Sequence, residues 1–193
     1  PNLMRIKIFV LLCLTAIMQF TGVTPLKASH YYYKQLSLKD GVTSAVRCIL
    51  TDKQGFVWIG TKAGISRYDG HELKKYVYSP NNPHSIPNNL IHQIAEDEMS
   101  NIWILTDKGI ARYQRQSDDF FLPTDEKGNP IIAYSTCLTK DGVLFGSKDK
   151  VYFYSYRDSS LRLLQKLNKG NNFNISLLSL WNEHTVLCCS RWQ

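Results

Sequence analysis

The chain lacks the residue clusters that most catalytic or metal chemistry requires. Its histidines, His30, His71, His84, His92 and His184, stand far from one another, and none sits three to five residues from another metal-type ligand in a recognisable pattern. That spacing argues against a metal site. There is no Gly-rich phosphate loop, no nucleophile elbow and no dinucleotide fingerprint, so no catalytic residue and no cofactor is assigned. The basic excess forms no stripe, because no run of basic residues is longer than Lys74-Lys75. A nucleic-acid partner is therefore not expected. The five cysteines include no C-x-x-C pair. They read as mostly buried small hydrophobes, with a structural disulfide the lesser expectation. No segment beyond the N-terminal region is apolar enough to span a bilayer, and no amphipathic helix is evident.

The one long apolar run is Ile8–Phe20, thirteen residues that follow Arg5 and Lys7. It suits the core of a signal peptide and is short for a membrane span. The expected layout is a signal peptide at 1–29, with Met4 as the start, and a folded region at 30–193. Export implies an oxidising compartment. Without Arg5, Lys7 and Lys27 there remain 20 basic against 16 acidic residues, a net charge of +4. Hydrophobic residues at 44% and charged residues at 20% mark a globular domain. The 11 Tyr, 8 Phe and 4 Trp favour strands.

Within the folded region the chain repeats itself. Asp52-Lys-Gln-Gly55-Phe-Val-Trp58-Ile-Gly60-Thr61-Lys-Ala-Gly64-Ile-Ser-Arg67-Tyr68 aligns without gaps on Asp97-Glu-Met-Ser100-Asn-Ile-Trp103-Ile-Leu105-Thr106-Asp-Lys-Gly109-Ile-Ala-Arg112-Tyr113, an offset of 45. A weaker third copy runs from Asp141 to Tyr154, with Gly146-Ser147 matching Gly60-Thr61 and Tyr154 matching Tyr68. A partial fourth copy is Thr185–Ser190. A period in the low forties suits a four-stranded propeller blade. The expected fold is all-β: a partial β-propeller of three to four antiparallel four-stranded blades, at roughly 36–85, 86–130, 131–172 and, in part, 173–193.

The first unit divides into strands at Val46–Thr51, Phe56–Thr61, Ile65–Tyr68 and Leu73–Tyr78. Gly55, Gly64 and the Asp69-Gly70 pair supply the turns. Trp58 and Trp103 are expected to wedge between neighbouring blades, and Gly60 to allow close approach there. Leu105 replaces that glycine in the second unit, which predicts a relaxed approach. The structural repeat set is thus Gly55, Trp58, Gly60, Gly64, Tyr68, Trp103, Gly109, Tyr113, Gly146 and Tyr154. Asp52 and Asp97 recur in register, which points to a turn role. The acidic pair Asp118-Asp119 likewise reads as turn residues. Val46–Leu50 matches Ile91–Ala95 and Tyr134–Leu138 as innermost strands. Arg47, His92 and Ser135 then share one level of the central channel. Of these, Arg47 and His92 are the candidate ligand contacts, because they could donate hydrogen bonds to polar or anionic groups at the channel mouth.

The pattern Leu36-Ser37-x-x-Asp40-Gly41-Val42-Thr43-Ser44, followed by Asp52-x-x-Gly55-Phe56-x-Trp58-Ile59-Gly60-Thr61-x-x-Gly64-Ile65-x-Arg67-Tyr68-Asp69-Gly70, resembles the two-component regulator propeller repeat. The resemblance implies the periplasmic sensor region of a Bacteroides-type hybrid two-component system, with the rest of the parent anchored in the inner membrane. It implies recognition of oligosaccharides to control polysaccharide utilisation. The implied partners are an oligosaccharide ligand, the remaining blades and downstream sensor domains, and a second copy in a homodimer. The histidine kinase would lie outside this chain, which is not itself expected to be an enzyme. About 165 residues at about 43 per blade give fewer than four blades, so the chain reads as an N-terminal fragment. The rival readings are a protein-interaction propeller with no small ligand, and a propeller lyase.

Overall fold

The computed structural model describes Gln35 and residues 44–167, 174–182 and 185–191. The expected signal segment lies outside them. The chain divides into Pro1–Gln35 and Leu36–Gln193, and every described strand belongs to the second unit.

Short strands bounded by glycine and aspartate turns produce three four-stranded antiparallel sheets. The first comprises β1 (Val46–Thr51), β2 (Val57–Thr61), β3 (Gly64–Tyr68) and β4 (Leu73–Tyr76). The second comprises β5 (Ile91–Glu96), β6 (Ile102–Thr106), β7 (Gly109–Gln114) and β8 (Asp119–Phe121). The third comprises β9 (Ser135–Leu138), β10 (Gly142–Gly146), β11 (Lys150–Ser155) and β12 (Leu161–Lys166). A two-stranded sheet follows, with β13 (Asn174–Asn182) against β14 (Thr185–Arg191). Each sheet is a simple meander in chain order. That is what tight turns between consecutive strands dictate.

The turns obey the repeat. Gly55 sits at φ +88°, and its counterpart Ser100 adopts +61° despite carrying a side chain. Gly64 lies at φ +114°, and a Cβ there would come within 2.5 Å of the Tyr76 carbonyl oxygen. Only glycine meets both conditions.

The core lies between the blades. One buried cluster joins the first two sheets through Trp58, Ile65, Tyr76, Ile94 and Tyr113. A second joins sheets two and three through Trp103, Leu105, Ala133, Phe145 and Tyr154. A third joins sheet three to β13 and β14 through Cys137, Leu144, Ile175 and Leu178. The outward face of β1 is open: Val46 and Ile49 are 46% and 64% exposed.

The closest approach near the hub is tuned by exchanging volume across each joint. A Cβ on Gly60 would meet Ile91 Cγ2 at 2.7 Å, and one on Gly146 would meet Ile175 Cγ2 at 2.7 Å. At the middle joint Leu105 stands in the glycine's place, and register puts Ala133 where Ile91 and Ile175 stand. Both are fully buried in one cluster. The approach expected to relax at Leu105 is therefore not loosened: the small residue has moved to the other side of the joint.

Candidate functional site

The first two joints are fastened by the same polar device. Asp52 lies beneath the turn that follows β1. Its Oδ1 accepts the Phe56 and Gln54 amides at 2.9 and 3.0 Å, and its Oδ2 accepts the Trp58 indole N–H at 3.0 Å. Asp97 repeats this with Asn101 N at 2.8 Å and the Trp103 indole at 2.8 Å. A buried carboxylate is costly unless its lone pairs are filled, and here turn amides and an indole fill them. From the next blade Arg115 reaches back to Asp52 Oδ2 at 3.0 Å. Burial alone would raise the Asp52 pKa, but the Trp58 and Arg115 hydrogen bonds outweigh that and hold it below the usual carboxylate range.

The tryptophans have matching surroundings. Trp58 meets Tyr113 edge-on at 4.8 Å and 64°, and Trp103 meets Tyr154 at 4.8 Å and 65°. Arg67 lies 5.9 Å over Trp58, and Arg112 lies 5.9 Å over Trp103. Arg67 donates to the Tyr113 hydroxyl, and Arg112 donates to the Tyr154 hydroxyl at 2.5 Å. Edge-to-face aromatic pairs and stacked guanidinium groups favour this geometry. Tyr68, at the open end of the described arc, instead bonds the Gly70 carbonyl at 2.5 Å.

Asp118 is a further anchor. It occupies a left-handed position at φ +56° in the turn between β7 and β8. Its carboxylate accepts the Tyr76 hydroxyl at 2.6 Å, the Tyr113 hydroxyl and the Lys74 ammonium, with Arg67 at 3.2 Å. Burial opposes ionisation, but these donors win and hold its carboxyl far below the usual carboxylate range. Local sequence suggests only a turn role for Asp118. Its bridging role depends on partners more than 40 positions away, which no local pattern reveals.

At the channel end the inner strands share a register slip. It falls between Val46 and Cys48 in β1, between Ile91 and Gln93 in β5, and between Ile175 and Leu177 in β13. Bulges of this kind re-aim the extra residue. Arg47, His92 and Ser176 are those extra residues. Arg47 is exposed, and His92 Nε2 pairs with Asp107 Oδ1 on the adjacent β6–β7 turn. The structure corrects the alignment of the third unit. Gly146 pairs with Ser135 as Gly60 pairs with Cys48, so Tyr134, not Ser135, shares the level of Arg47 and His92. The His92 and Tyr134 rings meet at 6.1 Å accordingly. Ser135 turns into the joint and donates to the Ile175 carbonyl at 3.2 Å.

Among the described residues no group of three His, Cys, Asp or Glu side chains is arranged to hold a metal ion. Cys48, Cys137, Cys188 and Cys189 are free thiols. Cys137 is buried, but Cys189 is exposed on the opposite face of β14 from Cys188, which packs against the third cluster. The expectation of mostly buried cysteines is met among the described residues at Cys137 alone: Cys48 and Cys188 are half-buried, and Cys189 is exposed because consecutive strand residues face opposite ways.

The two-component regulator propeller family matches residues 40–63. Histidine kinase P4 of Formosa agariphila is 37% identical over 59 residues, which is 30% of this chain and 4% of that protein. Among solved structures, the extracellular domain of the hybrid two-component system BT3049 from B. thetaiotaomicron superposes with a TM-score of 0.67 at 17% identity, over 80% of this chain and 23% of that one. That of BT4673 gives 0.58 at 23% identity, over 76% and 19%. Virginiamycin B lyase from Staphylococcus aureus gives 0.53 at 15% identity, over 76% and 49%. The chain thus spans about a fifth of the two-component domains, and likeness at these identities follows the propeller fold across different activities. The blade geometry, the repeating joint and the solved structures agree that this chain is an arc of β-propeller, and its first blade carries the match to the two-component regulator propeller repeat at residues 40–63.

Proposed function

We propose that this chain is the ligand-sensing part of an extracellular sensor of a hybrid two-component regulator, that it works in the periplasm, and that its ligand is an oligosaccharide. What supports this reading is the bulge shared by β1, β5 and β13, whose extra residues are Arg47, His92 and Ser176, together with the Tyr134 ring that meets His92. A ring of a guanidinium, an imidazole and two hydroxyls offers donors and acceptors to the hydroxyls of a sugar, and an aromatic face to its apolar side. Arg47 and His92 are the proposed ligand contacts. The proposed response is a change in blade packing or in dimerisation, which a ligand can bias only by binding one state more tightly. The kinase output would belong to other parts of the parent protein.

Calorimetric titration of the full-length parent's extracellular region with an oligosaccharide panel tests the reading. Binding that Arg47→Gln together with His92→Gln weakens at least tenfold supports it. No sugar binding, with a protein partner still captured, would favour the interaction-module reading instead. Turnover of the panel would favour an enzyme.

A further inference from the structure

The first two joints share an arginine–tyrosine pair but differ in what faces it. At the first joint Arg67 and Tyr113 meet the carboxylate of Asp118. At the second, Arg112 and Tyr154 hold the same mutual geometry. Tyr113 pairs with Phe120 and Tyr154 pairs with Leu161, so Ser159 stands where Asp118 stands, two residues before the paired strand position. The backbones agree, with φ +56° at Asp118 and +53° at Ser159. Phe121 replaces Lys74 opposite the arginine. The second joint therefore keeps the cation and the phenol but has lost the internal anion.

No carboxylate among the described residues lies at ion-pair distance from Arg112. The neighbouring Asp158 is turned into its own loop, where it accepts the Ser160 amide at 3.2 Å. Arg112 is half-buried, with Trp103, Phe121 and Tyr154 stacked around its guanidinium. Such a group is weakly hydrated and geometrically matched to a planar carboxylate. Arg112 also helps wall a cavity of about 490 Å³ that carries the amides of Asn101, Gln114 and Gln116, side chains that complement hydroxyl groups.

We propose that Arg112 and Tyr154 form a binding point for the carboxylate of an external small polar acid, such as a sugar acid, which takes the place that Asp118 fills at the preceding joint. The site lies at the blade rim, away from Arg47 and His92, so it stands or falls separately from the channel-mouth reading.

The test compares unfolding midpoints of the chain in sodium glucuronate, sodium acetate and sodium chloride at equal ionic strength. Both carboxylates should raise the midpoint over chloride, by about 3–6 °C at tenfold above Kd. Ser159→Asp, which restores the internal anion, should raise the midpoint in chloride and weaken the carboxylate response at least tenfold. Lys62→Gln, which removes an exposed cation with no part in either proposed site, should leave the response unchanged. The proposal is overturned if carboxylates act no differently from chloride, if Ser159→Asp responds like the wild type, or if Lys62→Gln abolishes the effect.

Discussion

Exchanging Leu105 and Ala133 for the residues found at the neighbouring joints makes a sharp prediction about how blades pack. Leu105→Gly removes a fully buried side chain. Cavity formation costs about 2–5 kcal/mol for such a truncation, and glycine in a strand adds about 0.5–1 kcal/mol. Ala133→Ile forces extra carbon atoms into a filled site at about 1–3 kcal/mol. Independent effects would sum to roughly 3.5–9 kcal/mol. The double variant, however, recreates the Gly60–Ile91 and Gly146–Ile175 pairs that already pack at the flanking joints. Its cost should fall to about 0.5–1 kcal/mol, the glycine backbone cost alone. Urea unfolding of all four proteins with a common m-value measures this. A double variant that costs the sum of the single ones, within about 0.5 kcal/mol, would refute the volume-exchange reasoning.

Other predictions concern the carboxylates. Because Asp118 titrates below its unfolded value, its stabilisation is present above about pH 4 and drains away as pH falls below that, towards the folded pKa. Asp118→Asn should therefore flatten the acid limb of a midpoint-against-pH curve below pH 4, and an unchanged limb would remove Asp118 from its joint. Asp97→Ala strips the acceptor from the Asn101 amide and the Trp103 indole, and should cost about 2–4 kcal/mol in urea unfolding. Trp103→Phe at the same site leaves the turn bonds of Asp97 in place and should keep the turn's amide protection while Asp97→Ala loses it.

Much of this architecture can be read along the chain because it is local and repeats. The strands of the first unit, the glycine turns and the tryptophan spacing come from patterns only a few residues wide, and the structure places them within one or two positions. The Asp52 and Asp97 turn role also follows from local spacing, although the indole bond does not. What stays hidden is set between blades. The hydrogen bond from Arg67 to Tyr113, the anchor at Asp118 and the swap at Leu105 each depend on a residue about 30 to 50 positions distant. Tyr134 was displaced by one position because the third unit lacks tryptophan, and a period-2 strand offers no other mark of register once a bulge intervenes. The pairing of His92 with Asp107 crosses a single hairpin, yet it appears only once that bulge has turned the imidazole.

The interlocking joint is tested most directly by hydrogen exchange at the tryptophan indoles. Trp58 and Trp103 are fully buried and donate to Asp52 and Asp97, whereas Trp181 is 71% exposed. The two buried indole protons should exchange at similar rates, at least about a thousandfold slower than that of Trp181, since opening the joint requires cooperative unfolding. Exchange of Trp58 or Trp103 as fast as Trp181, or widely different rates for the two, would contradict a repeating joint.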